Sequence, residues 1–107
     1  MKEFIQVFTT TERKEDAEKI GKTLLEKRLA ECVQIMGPML SRYWWKGSME
    51  TAEEWLCLIK SKKTLYSQLE KAIKEVHPYE TPEIIAVPII CGSENYLEWL
   101  HNQLKKQ

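Results

Sequence analysis

A chain of 107 residues is the usual size of one domain and is long enough to bury a core without disulfides or a structural metal. Its 16 basic residues balance its 16 acidic residues, so the overall charge offers no attraction for nucleic acid or anionic membranes. Its three cysteines are widely spaced, with no Cys-x-x-Cys pair, which fits neither a disulfide framework nor a zinc ribbon. With no signal-peptide pattern and no apolar run of membrane-spanning length, we expect one soluble, cytoplasmic domain over residues 1–107.

The first part of the chain predicts a strand followed by an amphipathic helix. Residues Phe4 to Phe8 form an apolar run of strand length, and apolar residues recur at helical spacing from Ala17 to Leu25. Thr9 to Thr11 lie between them, and we expect their hydroxyls to accept hydrogen bonds from the amides of the first helical turn.

The middle of the chain predicts a long hairpin. Two apolar runs, Cys32 to Trp45 and Ala52 to Ile59, are separated by a turn at Lys46-Gly47-Ser48. Gly37-Pro38 interrupts the first run and predicts a bulge, because proline cannot donate to a strand ladder. Strands of this length predict a hairpin that projects beyond the core of one subunit.

The last part of the chain predicts helix, strand and helix. Apolar residues at helical spacing run from Leu65 to Val76, and Pro78 ends that helix. Glu83 to Ile90 predicts a fourth strand, with Pro88 favouring an edge position. Ser93 is the predicted N-cap of a last helix that extends to Leu104.

The resulting order, βαββαβ with an appended helix, indicates an α+β protein with a ferredoxin-like sandwich, that is, one four-stranded antiparallel sheet with two helices on one face. The first and third strands are apolar on both sides, although a sheet covered on one side should alternate. The exposed side therefore predicts closed self-association, with part of one copy covering the sheet of another.

No catalytic motif is present, so we expect a protein that is not an enzyme. His77 precedes Pro78 and is followed by Tyr79 and Glu80, a group of imidazole, phenol and carboxylate that suits copper or zinc. The alternative is that His77 only ends the helix and Tyr79 only packs.

The aromatic run Tyr43-Trp44-Trp45 beside the hairpin turn suits either stacking on a nucleotide or insertion into a neighbouring subunit. The neutral charge favours insertion, and no nucleic-acid partner is expected. Cys32 and Cys57 are predicted core residues, whereas Cys91 is predicted at an exposed strand end. Lys60 ends an apolar run and suits either a carboxylate partner in a cleft, such as Glu53 or Glu83, or solvent.

Over nearly its whole length the sequence resembles the CutA family of divalent-cation tolerance proteins. The motifs that carry this resemblance are Leu29-Ala30-Glu31-Cys32-Val33-Gln34, Tyr43-Trp44-Trp45-Lys46-Gly47, Tyr96-Leu97-Glu98-Trp99-Leu100 and, most specific of all, the segment His77-Pro78-Tyr79-Glu80-Thr81-Pro82-Glu83-Ile84-Ile85. The resemblance implies a tight homotrimer with the architecture of the PII signalling proteins, linked to tolerance of divalent cations and to copper binding.

The resemblance also implies a cleft between subunits formed by His77, Tyr79, Glu80, Trp45 and Lys60. Thr9 and Val76 stand where some bacterial relatives carry a cysteine and a second histidine, which implies a single-histidine cleft rather than a multi-ligand copper centre.

Three functional hypotheses follow. The first is a cytoplasmic homotrimer that binds a divalent metal, Cu(II) by ligand type, through His77 with Glu80 or Glu83 in support, with no obligatory cofactor and no membrane partner. The second is a PII-like signalling module that binds a small anionic or nucleotide ligand at Lys60, Trp45 and Tyr79. The third is a purely structural trimer.

Overall fold

The order of strands and helices agrees with the sequence prediction. The computed structural model describes residues 3–106. Its elements are β1 (Phe4–Thr11), α1 (Lys14–Glu26), β2 (Cys32–Trp45), β3 (Ser48–Lys62), α2 (Tyr66–Val76), β4 (Ile85–Ile89) and α3 (Glu94–Gln103). A single 3-10 turn, Lys63–Leu65, leads into α2. The described residues include no helix that is long and apolar enough to cross a membrane.

One four-stranded sheet in the order β2-β3-β1-β4 organises the chain, and all its neighbouring strands are antiparallel. This is the predicted ferredoxin-like arrangement. β4 is an edge strand, as Pro88 predicted, because proline has no amide hydrogen to donate to a second neighbour. It covers Ile85–Ile89, which is shorter than the predicted Glu83 to Ile90.

The hairpin of β2 and β3 is the longest feature of the molecule. Its strands have 14 and 15 residues and are joined at Lys46 and Gly47, whose φ angles of 49° and 82° suit a tight two-residue turn. The register shifts between Met36 and Met39, which confirms the predicted bulge at Gly37-Pro38. The molecule is therefore elongated, with a longest dimension of 44 Å.

The core lies between the sheet and the helices. Strand residues such as Val7 and Ile59 alternate toward α1 and α2, which supply Ile20, Leu24 and Ile73 to one cluster. The other fully buried apolar side chains are Ala17, Cys57, Leu65, Leu69 and Leu100.

The threonines that follow Phe8 do not cap α1. Thr9 to Thr11 extend β1 and pair with β3, and the N-cap of α1 is Arg13, with no side-chain hydrogen bond. The Thr11 hydroxyl instead donates to the Arg13 carbonyl at 2.8 Å. Pairing with β3 satisfies the threonine backbone, which outweighs the local preference for a cap. Ser93 does cap α3, because its hydroxyl accepts from the Tyr96 amide at 3.2 Å.

The opposite side of the sheet, here called the open face, leaves several large side chains exposed within residues 3–106. It is largely apolar, and Met36, Ile85 and Val87 on it are 58%, 52% and 42% exposed. Cys32 lies on this face opposite Lys60 and is only partly buried, so its predicted core position is wrong. Cys57 is buried and Cys91 is exposed, as predicted. Phe4 also points to this side but is buried in the core cluster. Other side chains that point to the open face include Gln6, Phe8, Gln34, Leu56, Leu58 and Ile89.

Candidate functional site

A cleft of about 750 Å³ lies at the end of the open face where the hairpin leaves the sheet. It is bounded by β2 and β3 on one side and by the segment after α2 on the other. Its lining residues are Thr10, Glu12, Met39, Ser41, Arg42, Tyr43, Trp44, Trp45, Glu54, Leu56, Tyr79, Glu80, Thr81 and Glu83.

The strand period explains which hairpin side chains line the cleft. Side chains two residues apart on a strand point to the same side, so Ser41, Tyr43 and Trp45 line it together; Arg42 and Trp44, of the opposite parity, reach it as well. Opposite them β3 contributes Glu54, which pairs with Met39 in the register after the bulge. The bulge therefore places Met39, Ser41, Tyr43 and Trp45 on the same side as Glu54.

His77 lies behind the cleft and does not line it. It is 9% exposed, and its Nε2 is 2.9 Å from the Thr10 carbonyl oxygen, which can only accept, so Nε2 carries the hydrogen. Its Nδ1 accepts from the Tyr79 amide at 3.1 Å. With both nitrogens engaged, the imidazole offers no free lone pair in this conformation, and His77 as a metal ligand stays a prediction. Burial lowers its pKa, against the opposing effects of Thr10, Asp16 and Glu54.

Tyr79 connects His77 to the cleft. Its ring packs edge-on against the imidazole at a centroid distance of 4.7 Å. Its hydroxyl donates to Oε2 of Glu54 at 2.7 Å. Burial and this carboxylate both raise the pKa of Tyr79 far above its ordinary value, so the phenol remains a donor at any physiological pH.

The predicted residues Glu80, Glu83 and Trp45 do reach the cleft, together with Tyr79. Trp45 is 38% exposed as a whole residue, and the Lys46 ammonium lies 5.4 Å from the centroid of its ring. The hairpin aromatics thus present their rings at an accessible surface of the described chain, where either a ligand or another subunit can reach them.

Lys60 does not reach the cleft. It lies near the opposite end of β3, and Trp45 pairs with Ser48 at the start of that strand, so the two residues are separated by roughly 40 Å along β3. The Lys60 ammonium donates to Oε1 of Gln34 at 2.7 Å rather than to Glu53 or Glu83. Within one chain Lys60 thus lies apart from Trp45, and its place in a cleft between subunits stays a prediction.

Glu54 is the main cleft residue that sequence reasoning missed. It is only 6% exposed, although glutamate side chains usually face solvent. Its orientation could have been predicted from its position in the strand. Glu54, Leu56 and Leu58 are two residues apart, and side chains at that spacing point to the same side of a sheet. Glu12, Arg42 and the cleft-facing role of Tyr43 carried no comparable signal.

Comparison with known proteins gives a consistent result. The family model described as CutA1 divalent ion tolerance protein matches residues 5–103. The "Divalent-cation tolerance protein CutA" of Archaeoglobus fulgidus is 38% identical over 94 residues, which are 88% of this chain and 91% of that protein. "Protein CutA 1, chloroplastic" of Oryza sativa is 37% identical over 95% of this chain, and the chain spans 58% of its length.

The same fold is found among solved structures. The crystal structure of CutA1 from Oryza sativa superposes with a TM-score of 0.95 at 36% identity, covering 98% of this chain and 96% of the other. The divalent cation tolerance protein of Thermus thermophilus superposes with a TM-score of 0.91 at 38% identity, covering 98% of this chain and all of the other.

Proposed function

Since this chain belongs to the CutA1 family of divalent ion tolerance proteins, we propose that it works as a homotrimer that binds divalent cations in the carboxylate-lined cleft, without chemical turnover. The observation that carries this proposal is the charge of the cleft. Four glutamates line it, against one arginine, Arg42. Side chains of one sign around a concave surface raise the local concentration of ions of the opposite sign. The four are Glu12, Glu54, Glu80 and Glu83.

A single chain does not hold a finished metal site. Among residues 3–106 no three histidine, cysteine, aspartate or glutamate side chains lie close enough together to hold an ion. Both nitrogens of His77 are engaged as well. The proposed ion is therefore held by carboxylate oxygens and water, and its remaining ligands come from a second copy at the cleft. Cu(II) remains the cation expected to bind most tightly, since affinities for a given oxygen and nitrogen site rise toward copper.

The open face supports the trimer. Its apolar side chains include Met36 and Ile85, each more than half exposed, and a soluble monomer rarely leaves such a surface uncovered. Both edge strands of the sheet, β2 and β4, also carry unpaired backbone groups within the described chain. A head-to-tail contact between two different edges closes into a ring, and three copies are the number that family resemblance implies.

The alternative ligand, a small anion or nucleotide, is less well supported at this cleft. Carboxylates repel an anion, and within one chain Lys60, the cation proposed for it, donates to Gln34 at the far end of β3, so an anion would depend on Lys60 of a neighbouring copy. A thermal-shift panel separates the two ligand classes, because a bound ligand raises the melting temperature by mass action.

The decisive experiment combines mass and metal titration. Native mass spectrometry of untagged protein is expected to give three chains. Calorimetric titration with Cu(II), Zn(II) and Mg(II) is expected to show cation binding that weakens in the double variant Glu80→Gln/Glu83→Gln. Glu18→Gln removes an exposed carboxylate of α1 outside the cleft and serves as the control. A monomer, or equal affinities in the three proteins, would contradict the proposal.

We also propose that the protein works in the cytoplasm. Support comes from its free thiols, Cys32, Cys57 and Cys91, since reducing compartments maintain unpaired cysteines. The names of relatives vary, one being chloroplastic and one periplasmic. Cell fractionation tests the assignment, and recovery with an exported fraction would overturn it.

A further inference from the structure

His77 is held at both of its ring nitrogens by backbone groups of two different segments. Nε2 donates to the Thr10 carbonyl of β1, and Nδ1 accepts from the Tyr79 amide in the segment after α2. Only the neutral imidazole with its hydrogen on Nε2 satisfies both contacts. A proton or a metal ion at Nδ1 would have to displace the Tyr79 amide.

The contact continues from Tyr79 to the cleft. The Tyr79 ring packs against the imidazole, and its hydroxyl donates to Glu54 on β3. Glu54 is almost fully buried, so the phenol supplies a donor that bulk water cannot easily replace. His77, Tyr79 and Glu54, here called the clip, thus join β1, β3 and the segment after α2.

We propose that His77 is a positioning residue rather than a metal ligand: it fixes Tyr79, and Tyr79 fixes the Glu54 carboxylate toward the cation in the cleft. This inference rests on the proposed function, because the orientation of Glu54 matters for binding only where a cation is bound. Groups that orient a metal-binding carboxylate commonly change metal affinity by 10- to 100-fold when they are removed.

The surroundings of His77 support a neutral, uncoordinated imidazole. Burial lowers its pKa and outweighs the hydrogen bond to Thr10 and the charges of Asp16 and Glu54, which raise it. His77 is also absent from the cleft lining, whereas Glu54 and Tyr79 belong to it. A cation in the cleft would therefore contact carboxylate oxygens, such as those of Glu54, and not the ring nitrogens of His77.

Two substitutions separate the positioning role from the ligand role. Tyr79→Phe leaves the imidazole in place and removes the hydroxyl that holds Glu54. His77→Gln removes the imidazole but offers an amide group that can donate to Thr10, whereas His77→Ala offers nothing. We expect Tyr79→Phe and His77→Ala each to weaken Cu(II) binding by about 10-fold, and His77→Gln to restore most of the loss. A ligand role predicts the opposite: Tyr79→Phe harmless, and both His77 variants equally impaired.

Spectroscopy of the metal-free protein tests the clip independently of cation binding. Long-range proton–nitrogen correlation spectra are expected to show His77 protonated on Nε2 alone. Hydrogen exchange is expected to show a protected Tyr79 amide that loses protection in His77→Ala. A charged imidazole, or an unprotected Tyr79 amide in the unmodified protein, would overturn the inference. If the unmodified protein binds no cation, the proposed function is overturned. If the spectra still show an intact clip in that case, His77 has a structural role only and no role in binding.

Discussion

The clip and the open face adjoin one another, yet they differ in how far one chain completes them. In the clip, each nitrogen of the buried imidazole and the hydroxyl of Tyr79 have a partner within the same chain. On the open face, apolar side chains such as Met36 and Ile85 remain more than half exposed. One chain therefore completes the polar cleft wall by itself, whereas the apolar surface beside it is left uncovered and would be buried only in the proposed trimer.

The largest expected effect comes from placing a charge on the open face. Ile85→Glu should leave the monomer folded, since the residue is 52% exposed, but it should prevent assembly. Burying an unpaired carboxylate in an apolar interface costs at least about 3 kcal/mol per subunit. Analytical ultracentrifugation should show monomers.

Leu25→Glu provides the matched control. Leu25 lies on α1, on the opposite side of the sheet, and is 43% exposed. It should keep the oligomer of the unmodified protein. If Ile85→Glu and the unmodified protein assemble equally, the open face is not an interface between copies.

Sequence alone predicted the completed fold better than the completed site. The order of elements followed from the periods of apolar residues, and Gly37-Pro38 and Ser93 marked the bulge and the last helix by their local chemistry. Thr9 to Thr11 escaped prediction because strand pairing with β3 overrides a local capping preference. The nature of the exposed surface was also predictable, since it depends on strand parity.

The clip escaped prediction because it depends on contacts between residues distant in sequence. Tyr79 meets Glu54 across 25 positions, and His77 meets Thr10 across 67. Neither pair has a local pattern. By contrast, the distance between Lys60 and Trp45 within one chain could have been calculated from the length of β3 and the rise per residue of a strand.

A second prediction joins the two regions at the bulge. A Cβ added at Gly37 would lie 2.9 Å from the Trp55 ring and 3.0 Å from the Glu54 carbonyl oxygen. Gly37→Ala should therefore push β2 away from β3 next to the clip and cost about 2 kcal/mol. Gly47→Ala is the control for crowding, since nothing lies within 4 Å of its added Cβ, although its φ of 82° adds strain at the exposed turn. Denaturant unfolding at fixed protein concentration measures both.

The two glycine variants should differ in the signal of the clip. Gly37→Ala should also reduce hydrogen-exchange protection at the Tyr79 amide, because it displaces the backbone of Glu54. Gly47→Ala should leave that protection unchanged. An unaltered Tyr79 amide in Gly37→Ala would show that the bulge and the clip are independent.

A third prediction concerns a buried polar atom in the core that, unlike the polar atoms of the clip, has no hydrogen-bond partner within the described chain. The Thr9 hydroxyl is buried and has no hydrogen-bond partner among residues 3–106. Thr9→Val should therefore stabilise the protein by about 1 kcal/mol. Thr11→Val is the matched comparison, because the Thr11 hydroxyl donates to Arg13, and its loss should destabilise by about the same amount. Melting temperatures that move in the same direction would contradict this assignment.

The smallest effect is the pH dependence of the metal-free clip. Burial lowers the pKa of His77 below its ordinary value of 6.5, but the Thr10 carbonyl and the charges of Asp16 and Glu54 offset part of that change. The unfolded chain therefore takes up a proton at a higher pH than the folded chain. The stability from the neutral imidazole is complete above the unfolded pKa and is lost as the pH falls through the folded pKa.

His77→Gln isolates this term, because every other titratable group is retained. Unfolding measured from about pH 7.5 to about pH 5 should show a steeper loss of stability in the unmodified protein than in His77→Gln. The difference should vanish at the upper end of the range, apart from a constant offset for the substitution itself. If stability falls with pH equally in the two proteins, folding does not favour the neutral form of His77. The clip would then lack the contacts to both ring nitrogens that distinguish it from the open face.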